Sequence, residues 1–360
     1  MIADPRAFDD SYDGVELLHR EGEMRDLFER LTGSPENGDV LVSGPSGVGK
    51  TLFAHKALDR LEQRRPIYRV HVNCLGKTTA GIHRAVLEAH PNGPDAVPRT
   101  TGTDSVRRTL RESIDRETVV VLDEGDDLPE TDAVGGLLRF RDVTLIVITH
   151  DKKRWLSRLD VDDGHSFDRG HVNLERYGIP ELTKILRRRA RQGFHQPDVV
   201  SRQHLQYIAD GVAGVARNAI QWLWGAATVA HERDHVTIQD EDVKDGKERA
   251  WRRVRELNLE SLPTHHRVLY AIVHDAGEIS GEELHNQYNA VKDDLYRDIP
   301  ACPIGKRARR EKFSKLREYD LVDYDGSTRA RTYWVIDESV TPQLELPTSV
   351  GTSPTDHRPH

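Results

Sequence analysis

Residues 44–51 read GPSGVGKT, and glycine, lysine and threonine at this spacing can do one chemistry well: they can hold a string of phosphates. Gly44, Gly49, Lys50 and Thr51 fit the pattern G-x-x-x-x-G-K-[ST] without departure. Glycines let the backbone curl so that successive N–H groups face one anion, and a following helix adds its positive N-terminus. The phosphate-contacting candidates are Gly44, Gly47, Val48, Gly49, Lys50, Thr51 and Leu52. Lys50 is suited to the β- and γ-phosphates, and the Thr51 hydroxyl to Mg²⁺. Two acids, Asp123 and Glu124, close the apolar run Thr118–Leu122. Asp123 is placed to hold the same Mg²⁺, and Glu124 to orient and activate a water, so the catalytic candidates are Lys50, Asp123 and Glu124. The ligand these residues predict is ATP or ADP with Mg²⁺. A polar side chain at the next strand tip, His150, is a candidate γ-phosphate sensor, with a surface loop histidine as the alternative.

These residues need a sheet to align them. Val40–Val42 reads as a short buried strand before the loop, and residues 52–58 as a helix after it. Further strands are expected at 67–72, 118–122 and 143–148, with helices at 78–90 and 104–116 and a proline- and glycine-containing loop at 91–103. Alternation of this kind predicts an α/β fold with a doubly wound parallel sheet and its ligand at the carboxyl ends of the strands. Asp162-Asp163-Gly164-His165 breaks the pattern, and helical periodicity then runs from Ile179 to Ala250 with turns near Pro197 and Gly211. The expected division is a nucleotide-binding base at 1–168, a helical lid at 169–255, a DNA-binding winged helix at 256–340 and a disordered tail at 341–360.

A net charge of −8 over 360 residues gives no global attraction to nucleic acid, so any DNA contact must come from a local patch. Of the 52 cations, 40 are Arg and 12 are Lys. No apolar stretch is long enough for a membrane span, the N-terminus is acidic, and the two cysteines are far apart, which together predict a cytoplasmic protein, nucleoid-associated if it binds DNA. The patch lies at 305–317, GKRARREKFSKLR, with seven cations to one anion. Phe313 and Leu316 are expected to face a core, leaving the cations on the other faces. Two helices, 264–275 and 281–297, precede this segment, and strands at 321–324 and 332–336 follow it. Three helices and a hairpin predict a winged helix, with the basic helix in a major groove and the wing at the backbone. The DNA-binding candidates are Lys306, Arg307, Arg309, Arg310, Lys312, Lys315, Arg329 and Arg331.

Taken together, residues 15–340 resemble the archaeal and eukaryotic replication initiators of the AAA+ class, the origin-recognition and cell-division-control type. Leu18-His19-Arg20-Glu21 is similar to the family's "HRE" segment, Val72-Asn73-Cys74 to its "VNC" strand end, 97–100 to the loop that follows and DEGDDL to its "DEIDxL". Arg176-Tyr177, Leu182 and 185–190 are similar to the lid entrance, and 214–219 to "GDARxAL". The resemblance implies that Tyr177 and Arg189 lie at the nucleotide and that Arg217 senses the γ-phosphate. It also implies origin DNA as a partner and recruitment of the minichromosome maintenance helicase. The chain departs from the family pattern at His150, in place of asparagine, and at Gly125, in place of a bulky apolar residue. It departs again after Leu159-Asp160, where VDDGHSFDRG offers only Arg169 as a finger for a neighbour's nucleotide. Slow turnover is the expectation from these departures. Two other readings stay open: a DNA-binding regulator, plasmid- or defence-related, in which ATP is a structural ligand, and an ATP-driven remodeller that does not touch DNA.

Overall fold

Apolar β-branched runs flanked by amphipathic helices bury best as a sheet covered on both faces. The computed structural model of the chain has this arrangement, and describes all residues except 10, 11, 13, 34–37, 129, 169, 298–300, 327–330, 345 and 347–360. The chain forms two compact units, 1–250 and 251–360.

The first unit begins with a 3₁₀ turn at Pro5–Phe8 and continues through α1 (Glu21–Thr32), β1 (Val40–Ser43), α2 (Lys50–Glu62), β2 (Tyr68–Asn73), α3 (Thr79–Ala89), α4 (Thr103–Ser113) and β3 (Thr118–Asp123). It continues with α5 (Asp132–Leu138), β4 (Val143–Thr149), α6 (Lys152–Leu156), α7 (Val161–Asp168) and β5 (His171–Asn173). The strands order β2-β3-β4-β1-β5, all parallel. Alternate residues of β3 serve opposite cores. Val120 and Leu122 pack with Ile82, Val86, Leu110 and Val134 from α3, α4 and α5. Val119 and Val121 pack with Leu27, Phe53 and Ala57 from α1 and α2. The doubly wound sheet is therefore present, and both Asp123 and the turn after β1 sit at carboxyl strand ends.

Two differences from the sequence reading concern short elements. Residues 162–165 were expected to break the pattern but lie inside α7, whose first turn carries Asp162 and Asp163, acids that favour a helix N-terminus. Three-residue β5 was not expected, because its length carries no periodicity.

The helical stretch of the unit contains α8 (Ile179–Gly193), α9 (Arg202–Asp210), α10 (Ala216–Glu232) and α11 (Asp240–Ser261), with a 3₁₀ turn at Pro197–Val199 and Gly211 capping α9. The boundary between the two units falls within α11. The second unit holds the rest of α11, then α12 (Thr264–Ala276), β6 (Glu278–Ser280), α13 (Gly281–Leu295), α14 (Lys306–Glu318), β7 (Val322–Asp325) and β8 (Thr332–Val335). Its antiparallel sheet orders β6-β8-β7. Phe313 and Leu316 are buried, as their three-residue spacing predicts. Most of the tail, 345 and 347–360, lies outside the described residues.

One half-buried acid of the base, Asp39, has a measurable consequence. Asp39, just before β1, accepts a hydrogen bond from the Leu145 N–H at 2.8 Å, yet burial pushes its carboxyl up to about 6. The folded protein thus holds this proton more tightly than the unfolded chain, whose aspartates titrate near 3.9. Stability from this group is present at low pH and lost as pH rises from about 4 through about 6. Asp39→Asn keeps an acceptor for Leu145 and removes the partly desolvated charge. Thermal melts at pH 7.5 are expected to show the variant more stable by on the order of 1–2 kcal/mol, with a flatter pH dependence between 4 and 6. A variant less stable than wild type at pH 7.5 would refute the assignment.

Candidate nucleotide site and basic helix

The turn after β1 has positive φ at Gly44, Gly47 and Gly49 (148°, 74° and 88°). At Gly47 the requirement is doubled, because a Cβ there would meet Val215 Cγ1 at 2.7 Å and Arg217 Cβ at 3.1 Å. The helical stretch therefore docks directly on the loop, and the Arg217 N–H donates to Gly47 O at 3.1 Å. Of the loop candidates, Val48 is buried beneath the turn, while Lys50, Thr51 and Leu52 open α2.

Lys50 is buried, and its ammonium donates to the carbonyls of Gly44 at 2.8 Å and Pro45 at 2.9 Å. Burial lowers its pKa, opposed by attraction from Glu124, Asp123 and Asp126. Thr51 Oγ1 donates to Asp123 Oδ2 at 2.7 Å, and the Glu124 N–H donates to Asp123 Oδ1 at 2.9 Å. Burial alone would raise the Asp123 pKa, but hydrogen bonds from His71 and Thr51 more than offset it and hold the carboxyl below its usual range. A hydroxyl and an ionised carboxylate 2.7 Å apart beside a phosphate loop are oxygen donors of the kind that suit Mg²⁺, so the residues fit that ion.

Glu124 stands next in the chain with φ of 54°. His150 Nδ1 lies 3.0 Å from Asp126 Oδ2 and 4.0 Å from Glu124 Oε2, and its backbone N–H also donates to Asp126. The sequence reading did not assign Asp126 a part in this group. Its signal was the second acid pair in DEGDDL. Gly125 also gains a reason: a Cβ there would lie 2.8 Å from Val147 Cγ1, 3.1 Å from the Ile148 carbonyl and 3.4 Å from Trp155 Nε1. A bulky residue at this position has no room. Arg158 donates to the Asp126 carbonyl at 2.7 Å and to Leu128 O, within its own chain. Arg169 lies outside the described residues.

Tyr177 and Arg189, expected together, are held by different partners. Arg20 Nε donates to the Tyr177 hydroxyl at 3.1 Å, and the Arg20 guanidinium lies 4.1 Å from the centre of the tyrosine ring. Arg20 also donates to Glu23 and to the Glu175 carbonyl. Arg189 is buried and donates to the Ala7 carbonyl at 2.8 Å, so one of its bonds supports the N-terminal 3₁₀ turn.

In the second unit the cations of α14 divide into two groups. Lys306, Arg307 and Arg310 are exposed, with Arg307 paired to Glu311 at 3.2 Å, and Lys312 is partly buried. Arg309 and Lys315 correct the expectation that every cation faces DNA. Arg309 is 3% exposed, its guanidinium 4.3 Å from the Tyr288 ring centre and bonded to the His285 carbonyl at 3.4 Å and Asn289 at 3.5 Å. Lys315 is 5% exposed, 3.4 Å from Glu318 and 4.6 Å from the Tyr319 ring centre. Their long stems complete the core-facing side of the helix. Arg331 lies over Tyr324 at 4.3 Å, and Arg329 is outside the described residues. Arg317, not among the candidates, is exposed and flanks Tyr324 at 4.5 Å, paired to Asp323 at 2.8 Å. Its position eleven residues after Lys306 was the available signal.

A five-stranded parallel sheet carrying a phosphate loop and strand-end acids, with an arginine turn from a helical lid set on that loop, defines an AAA+ ATPase fold. The chain matches the AAA ATPase domain over residues 16–146 and the Cdc6 AAA+ ATPase-type lid domain over 183–248. It is 29% identical over 347 residues to ORC1-type DNA replication protein 9 of Halobacterium salinarum, covering 94% of this chain and 95% of that one. It is also 29% identical over 308 residues to that organism's ORC1-type DNA replication protein 1, covering 82% and 97%. Among solved structures it is similar in fold to the Aeropyrum pernix ORC1 protein in complex with DNA, with a TM-score of 0.71 at 23% identity over 94% and 95% of the two chains. Cdc6p from Pyrobaculum aerophilum shares the fold with a TM-score of 0.60 at 20% identity over 93% and 94%. The chain thus carries an AAA ATPase domain and a Cdc6-type lid, and over nearly its whole length it is similar to ORC1-type DNA replication proteins. Among the described residues no helix is long and apolar enough to cross a membrane.

Proposed function

We propose that the chain is an ATP-binding replication initiator that binds double-stranded origin DNA and helps recruit the minichromosome maintenance helicase. The observation that carries this reading is the contact of the Arg217 turn with Gly47, which makes the lid part of the phosphate site. Lys50 neutralises the β- and γ-phosphates, Arg217 reads the γ-phosphate from the lid, and Tyr177 lines the nucleotide's side of the lid entrance. Thr51 and Asp123 would hold Mg²⁺, which when bound would supply neutralisation of phosphate charge. Glu124 orients the attacking water, with Asp126 and His150 steadying its surroundings, and turnover is slow.

The working division is a base at 1–168, a lid at 169–255 and a winged helix at 256–340. The order of three helices, a short strand and a hairpin supports the winged-helix reading, and the exposed Lys306, Arg307 and Arg310 begin its recognition helix. The named relatives, ORC1-type DNA replication proteins, and the ORC1 structure in complex with DNA support DNA as the partner.

The regulator reading keeps one observation in its favour: Arg158, the cation nearest the expected finger segment among the described residues, is committed to carbonyls of its own chain. Mapping the sites that the protein occupies on the chromosome decides between the two. Occupancy concentrated at replication start sites, dependent on Asp123 and Glu124, is the expected result. Occupancy spread over promoters and indifferent to both acids would replace the initiator reading with the regulator.

A further inference from the structure

Asp123 Oδ2 is approached from two sides. Thr51 Oγ1 donates to it at 2.7 Å, and on the other side His71 Nε2 lies 3.5 Å away. His71 is on β2, the strand beside β3, in register with Val121. Its ring meets the ring of His55 edge-on, with centroids 4.9 Å apart and planes at 88°. His55 is four residues beyond Thr51 on α2, so it lies on the same helix face. One helix therefore supplies both the hydroxyl that touches the carboxylate and the ring that braces the histidine. Nothing in the phosphate loop itself requires a histidine at 71, and the ring is 39% exposed, so it is not there to fill the core.

We propose that His71 is a positioning residue for the ion site, its Nε2–H holding the Asp123 carboxylate in the orientation that receives the divalent ion. The inference rests on the reading of Thr51 and Asp123 as the residues that hold that ion. An ionised carboxylate only accepts hydrogen bonds, which assigns the proton to Nε2. At 3.5 Å the contact is long, and such bonds tighten when the ligand arrives. Partners of this outer kind orient ligating carboxylates, and their loss weakens metal binding by about 10–100-fold.

The test uses the full chain with Mn²⁺ as the probe and a non-hydrolysable ATP analogue. Paramagnetic titration of wild type, His71→Phe and His71→Gln gives Mn²⁺ affinity, and calorimetry in EDTA gives nucleotide affinity without metal. His71→Phe is expected to weaken Mn²⁺ by about 10–100-fold. His71→Gln, which returns an N–H near the same point, recovers most of the loss, and all three proteins bind the nucleotide equally in EDTA. Unchanged Mn²⁺ affinity in the Phe variant overturns the proposal, as does a matching loss in EDTA, which would mean a general structural role. Nitrogen coupling from a directly bound imidazole overturns it in a different way, by making His71 a ligand itself. Wild-type protein that binds the nucleotide but no Mn²⁺ would remove the ion-site reading and this proposal with it.

Discussion

Lys50→Ala is expected to reduce ATP affinity by more than about 100-fold, because the ammonium would lose charge-assisted contacts to two phosphates worth on the order of 1.5–3 kcal/mol each. The side chain is buried, its ammonium bonded to the loop carbonyls of Gly44 and Pro45 and attracted by Glu124, Asp123 and Asp126, so its charge is held at the loop. Its removal also takes away a buried charge whose pKa burial already lowers, so the fold is not expected to suffer. Calorimetric titration of ATP with Mg²⁺, together with a thermal melt of the nucleotide-free protein, separates the two effects. An unchanged dissociation constant in a folded variant would end the assignment of 44–51 as the phosphate site.

The second large effect belongs to the exposed end of α14. Lys306, Arg307 and Arg310 are exposed on its first two turns, which in the proposed winged helix would be the part that meets base edges and adjacent phosphates. Each phosphate neutralised contributes roughly −0.9 to the slope of log K against log salt. Replacing all three by Ala is expected to flatten that slope by up to about 2.7. Affinity for all duplexes should fall by about 100-fold or more at low salt, at about 1 kcal/mol or more for each charged contact. Arg309→Ala is the control. Its guanidinium is packed on Tyr288 and nearly inaccessible, so this variant should lower the melting temperature of the second unit and leave the slope alone. Titrations on origin-like and random duplexes at several salt concentrations measure both. An unchanged slope in the triple variant would mean that this helix end does not touch DNA.

The difference between Arg309 and Arg310 marks where the sequence stops being legible. Both are arginines in one basic run; the four-residue spacing from Arg309 to Phe313 puts Arg309 on the core-facing side, but the run does not show the ring and carbonyl of α13 that hold its guanidinium. Tyr288 lies 21 residues earlier, and no periodicity within α14 announces it. The phosphate loop, β3 and its two acids were readable because their chemistry and their geometry are local: the residues that act are neighbours in the chain. Thr51 and Asp123 meet across 72 residues, yet each carries its own local signature. His71 carries none. It lies within a strand where any polar residue would suit an exposed face, and its relation to Asp123 comes from strand pairing alone. Short elements such as β5 and α7 were missed for the opposite reason, since three to eight residues do not repeat often enough to show a period.

The N-terminal turn has a consequence for how the protein is made. Ala3 and Asp4 donate to the Gly193 carbonyl, Arg189 donates to Ala7 across 182 residues, and Gln221 donates to Phe8 across 213. Residues 3–8 are therefore synthesised long before these distant partners. At about 5–20 residues per second, roughly 10–40 s of synthesis separates the two ends of these bonds. Through that interval Phe8, which is 2% exposed in the finished protein, has no aromatic partner until Phe194 is made. The turn at Pro5–Phe8 is thus made well before the residues that close it. Chaperone contact during translation, detected by crosslinking from position 8, should persist until α10 has emerged and then cease.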